Sequence, residues 1–68
     1  MYKLRYDVDS DVLMIVVSEL GKFSHAEEMG DIVVHLSEKG EPLFLEVLNA
    51  SENVPLMVQA LAKKEVAA

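Results

Sequence analysis

His25, Glu27, Glu28 and His35 are the residues of this 68-residue chain with the most chemistry to offer. Imidazole and carboxylate are zinc ligands and general acid/base groups. A turn at Gly30-Asp31 would bring Glu27 and His35 onto neighbouring strands. A histidine in the run Ile32-Val33-Val34-His35-Leu36 is more often a packed residue whose ring nitrogens bond their neighbours. The four are therefore candidate metal ligands or hydrolytic groups; no catalytic, cofactor-binding or metal residue is assigned, and no cofactor is expected. Asp7, Asp9 and Asp11 have the spacing that begins a calcium loop. Such a loop needs Gly at its sixth position and Glu at its twelfth, where this chain has Val12 and Ser18, so the three aspartates read as a solvated turn. No Ser-His-Asp set or Gly-rich phosphate loop is present, and the absence of Cys removes thiolate chemistry and disulfides.

The elements that would position these groups follow from hydrophobic period. Tyr2, Leu4, Tyr6 and Val8 alternate with Lys3, Arg5 and Asp7, the pattern of a half-buried edge strand at roughly 2–8. After the turn at Asp7–Asp11, the unbroken apolar run from Val12 to Val17 predicts a strand at roughly 12–19, buried on both faces. A short exposed strand is expected at roughly 23–28. A central hairpin then has arms at roughly 31–37 and 42–48 about a turn at Glu38-Lys39-Gly40-Glu41. Both arms are apolar at nearly every position, which calls for a cover on each face.

Past Leu48, the residues Asn49, Ser51 and Asn53 are all helix-capping types, and a helix is predicted at roughly 53–65. Its apolar stripe, Val54, Met57, Val58 and Leu61, would pack on the sheet. Lys63 and Lys64 lie near the end where the helix dipole favours cations. Pro55 would fall in the first turn, where its missing N–H costs no hydrogen bond. The expected fold is α+β: one domain over residues 1–68, a small antiparallel β-meander of four to five strands with one C-terminal α-helix packed on the sheet.

A domain of this length has a thin stability margin, because ordering it costs on the order of 100 kcal/mol. Apolar residues make up 51% of the chain, one helix covers one face only, and burial between subunits is the natural supplement. A homodimer is expected. The net charge of −6, from 12 acidic and 6 basic residues, opposes direct nucleic-acid binding and favours a basic protein partner. No apolar run approaches a membrane span and the N-terminus has no signal-peptide core, which predicts a cytoplasmic protein without membrane contact.

At Tyr6-Asp7, Asp11, the strand Val12 to Val16 and the stretch Asp31 to Ser51, the chain resembles DUF2283, a family of small bacterial and archaeal domains of unknown function. The likeness is most specific at Glu46-Val47-Leu48-Asn49-Ala50-Ser51. The chain departs from the family pattern at His35 and Ser37, where acidic residues are frequent, and at Phe44-Leu45, where a smaller pair including Gly is usual. The resemblance implies a small β-sheet protein with no established activity. It also implies an antitoxin-like role beside a small toxin-like protein. The reading carried forward is a non-enzymatic interaction module, with a small metal-binding protein or hydrolase using His25, Glu27, Glu28 and His35 as the alternative.

Overall fold

The computed structural model describes residues 2–63. Five antiparallel strands form one sheet: β1 (Lys3–Asp7), β2 (Val12–Val16), β3 (Phe23–Met29), β4 (Ile32–Ser37) and β5 (Pro42–Val47). A single helix follows, α1 (Ala50–Ala62). The fold is α+β, as the periodicity implies. In space the order is β1-β2-β5-β4-β3, so the chain's central hairpin, β4 with β5, is also the centre of the sheet. β3, β4 and β5 make a meander, and the β1–β2 hairpin adds to the free edge of β5. Strand β2 thus lies beside β5 although β3 follows it in sequence, which is the Greek-key arrangement.

The edges and turns fall close to where pattern places them. β1 and β3 are the two edge strands, exposed along their whole length. Met29 pairs directly with Ile32, leaving Gly30-Asp31 as a two-residue turn, with Gly30 at a φ of 60° that costs a glycine little. Strand β2 is shorter than the roughly 12–19 expected. The N–H groups of Val17 and Ser18 both donate to the Leu43 carbonyl, at 2.8 and 3.0 Å, so the ladder stops and the chain turns across the end of the sheet. Gly21 lets it pass: φ is 109°, and a Cβ there would stand 3.3 Å from Leu43 Cδ2.

The helix begins at Ala50, three residues before the start expected from sequence. Pro55 is therefore an interior residue, and the expectation that it costs no hydrogen bond fails: it has no N–H to give the Ser51 carbonyl four residues back. Ala50 is buried and Asn53 and Val54 are half-buried, so the helix joins the sheet through its first turn. The rest of its apolar stripe stands open, Met57 at 42%, Val58 at 59% and Leu61 at 79% exposed. Lys63 is the C-cap; Lys64 and the last residues of the expected helix lie outside the described residues.

Strand register sorts the side chains into two faces, because directly paired residues share one. The first face carries two rows, Leu4-Ile15-Leu45-Val34-Glu27 and Tyr6-Leu13-Val47-Ile32-Met29. The second carries Lys3-Val16-Phe44-His35-Ala26 and Arg5-Met14-Glu46-Val33-Glu28. The two rows of the first face are apolar but for Glu27, with His25 beside it opposite Leu36; the second face mixes apolar and charged groups. Both are partly open. Strand β2 is half-buried throughout, and among the described residues the buried apolar ones are Leu43, Val47 and Ala50.

Candidate functional site

Of the four candidate ligands, the register separates two pairs. Glu27 pairs with Val34 and belongs to the first face, whereas Glu28 and His35 belong to the second. His25 keeps company with its own strand: Nδ1 lies 3.1 Å from Ser24 Oγ, and Nε2 lies 3.6 Å from Glu27 Oε1. Among the described residues, no group of three or more His, Asp or Glu side chains is placed to hold a metal ion.

His35 has a different partner, one that spacing did not reveal. Its Nε2 lies 2.6 Å from Glu46 Oε1 across the β4–β5 pair, and the two side chains are 17% and 28% exposed. The ring stacks on Phe44, centroids 3.9 Å apart and planes 14° from parallel, and meets Phe23 at 5.8 Å in a tilted contact. Register put the pair there: Val33 faces Glu46 and His35 faces Phe44, so residue 46 is the diagonal neighbour of residue 35 on one face. An imidazole held by a carboxylate is half of a hydrolytic arrangement, but the groups flanking it on the same face, Phe44, Ala26 and Val33, supply no nucleophile. A signal did exist in sequence, since a Glu within the apolar run Leu43 to Leu48 needs a partner if it is half-buried.

Among the described residues the most heavily bonded side chain is Asp11, and it too was read only as part of a turn. It sits at φ 55°, a left-handed conformation that Asp tolerates better than most residues. Its carbonyl accepts from Ala50 N at 3.0 Å. Its carboxylate accepts from Ser51 N at 3.0 Å, Ser51 Oγ at 2.7 Å and Tyr6 Oη at 2.6 Å. An anion at a helix N-terminus meets both orphan donors and the positive end of the dipole. The hydrogen bond from the Tyr6 phenol, then that from the Ser51 hydroxyl, hold the Asp11 carboxyl below the usual carboxylate range. The same bond raises the Tyr6 phenol above its usual value.

Asp31 does a parallel job from the β3–β4 turn. Its Oδ2 accepts from Asn53 Nδ2 at 2.9 Å and weakly from Asn49 Nδ2 at 3.4 Å, and its carbonyl accepts from Leu48 N at 2.7 Å. Asn49, the N-cap, makes no side-chain capping bond of its own. Two turns at one end of the sheet thus fasten the start of α1, where the sequence pattern pointed to Asn49, Ser51 and Asn53 as local caps. The Asp7–Asp9 part of the D-x-D-x-D run closes on itself, Asp9 N donating to Asp7 Oδ1 at 3.1 Å.

Among the described residues no helix is long and apolar enough to cross a membrane. A family model described as "Protein of unknown function (DUF2283)" matches residues 3–51, well over half of the chain, from β1 to the Ser51 that bonds Asp11. No curated protein and no solved structure matches.

Proposed function

We propose that this chain, which belongs to the DUF2283 family, is a non-enzymatic interaction module that works by having its apolar sheet face covered. The observation that carries the reading is the distribution of apolar surface. On that face Leu4 and Tyr6 of β1 are 64% and 50% exposed and Met29 of β3 is 63% exposed, the stripe of α1 is also open, and among the described residues only three apolar ones are buried. Contiguous apolar surface on neighbouring elements marks an interaction site, whereas single exposed apolar residues do not. The two polar clusters have structural partners: Asp11 and Asp31 bond the helix start, and His35 bonds Glu46.

The chain's net charge of −6 supports a second partner, a basic protein met through the acidic turns in the antitoxin-like manner that the family resemblance implies. The metal-binding or hydrolytic alternative draws no support from the geometry, because His25 and Glu27 face away from His35 and Glu28. Native purification from the organism's own cells, followed by sedimentation equilibrium, tests the interaction reading. The expected species is heavier than the 7.5 kDa of one chain. A folded, stable species at the single-chain mass would overturn it.

A further inference from the structure

The chain carries an apolar sheet face that is open along its outer strands and an apolar helix stripe, Met57 to Leu61, that stands exposed. We infer that a second copy satisfies both: α1 of each chain lies across the first face of the other, giving a two-fold homodimer with exchanged helices. The inference rests on the interaction reading above and names its partner.

Geometry fits the exchange. A helix of 13 residues at 1.5 Å per residue is about 20 Å long. Five strands spaced about 4.8 Å apart span about 19 Å between the outer two, so one helix can cover a whole row from β1 to β3. The helix does not reach its own sheet beyond the first turn, because Asp11 and Asp31 hold its start at the sheet's end and the stripe from Met57 to Leu61 stands exposed. Docking it on a second copy supplies the packing that a helix this short needs, the more so with Pro55 interrupting its ladder.

Area and charge agree. A compact monomer of 7.5 kDa exposes about 4,200 Å², and this chain exposes 5504 Å². The chain is thus more open than a compact monomer of its mass, and a standard interface needs roughly 800 Å² per partner. Although two chains of −6 repel at long range, the two rows of the first face carry one carboxylate, Glu27, among ten residues. A basic partner would find almost nothing to pair with there, while an uncharged stripe of α1 would not need pairing. A contact in which each chain gives a helix and receives one is self-complementary, as a two-fold interface requires.

Sedimentation equilibrium on the purified chain and two double variants tests the exchange. The sheet variant is Leu4→Glu with Met29→Glu, and the helix variant is Met57→Glu with Leu61→Glu. All four positions are exposed in a single chain, so a structural role confined to the protomer would leave them neutral. The wild type should sediment at about twice the single-chain mass and each variant alone at the single-chain mass. An equimolar mixture should regain dimers that neither variant forms, because one intact helix then meets one intact sheet. A wild-type dimer whose variants are not rescued by mixing overturns the exchange and leaves the interaction reading standing, as does a native complex with a different protein. A stable wild-type monomer overturns both.

Discussion

Asp11 and His35 each take part in a hydrogen bond of 2.6 Å to a side chain elsewhere in the fold, Tyr6 for one and Glu46 for the other, yet the two contacts join very different things. His35 and Glu46 lie 11 residues apart on strands that backbone pairing already holds together. Asp11 reaches Ser51 across 40 residues and brings β1, the first turn and the start of α1 to one point. Asp11, His35 and Glu46 are all half-buried, yet the histidine–glutamate pair is the one that looks like a site and the Asp11 carboxylate is the one that fastens elements together. Burial alone is thus a poor guide to how much a polar group holds; what matters is whether its bonds connect segments that nothing else connects.

That contrast can be broken or sharpened by substitution. The largest effect expected is a gain. Pro55→Ala restores a donor to the Ser51 carbonyl in a helix interior and should raise stability by up to about 3 kcal/mol in chemical denaturation. In that background the helix should depend less on its anchor. Next comes Asp11→Ala, which should lower the melting temperature and the far-UV helical signal together, and by more than Ser51→Ala, for which a lost cap bond costs about 1 kcal/mol. If Asp11→Ala left the helical signal intact, the anchor would be redundant and the comparison would fail.

The anchor also has a pH signature. The Asp11 carboxyl is depressed in the folded chain, so its contribution is present above the ordinary carboxylate range and is lost as pH falls below about 4. The Tyr6 phenol is raised, so its contribution is present below the ordinary phenol range and is lost as pH climbs beyond about 10. A Tyr6→Phe variant should flatten the alkaline limb of the stability curve and soften the acid limb. Smallest of all is His35→Gln, which gives up one interstrand side-chain bond worth about 1 kcal/mol while the β4–β5 ladder stays. Melting of the wild type should not respond to EDTA. A chelator-sensitive melting temperature together with stoichiometric metal would invert the comparison and make His25 and His35 the residues of function.

Much of the fold was legible because it is written in local pattern. The alternation Tyr2 to Val8, the Gly30-Asp31 turn and the apolar arms of the central hairpin each predict an element, and the strands they predict begin and end within a residue or two of the observed ones, β2 excepted. The neighbours in the sheet were less legible, since nothing in the run Val12 to Val17 says that it pairs with β5 in addition to β1. The helix start was missed for a related reason. Asn49, Ser51 and Asn53 advertise a local cap, but the capping anion comes from Asp11, and a carboxylate in a turn gives no sign of what lies opposite it in space. The His35–Glu46 pair needed the register of β4 on β5, which spacing along one strand does not contain.

The insertion of β5 between β2 and β4 has a consequence for the order of events during synthesis. The first hairpin leaves the ribosome complete at Val16, but the strand that closes its inner edge is some thirty residues away and its helix anchor farther still. Until β5 emerges, Val12-Leu13-Met14-Ile15-Val16 presents a bare, uncharged edge of high β propensity, the kind of strand that recruits other nascent chains. The β3–β4–β5 meander closes through short loops and can form quickly, whereas docking the waiting hairpin against it is a long-range step and sets the pace. Short-lived vulnerability at that edge, more than any weakness of the finished sheet, is where expression of this protein should fail first.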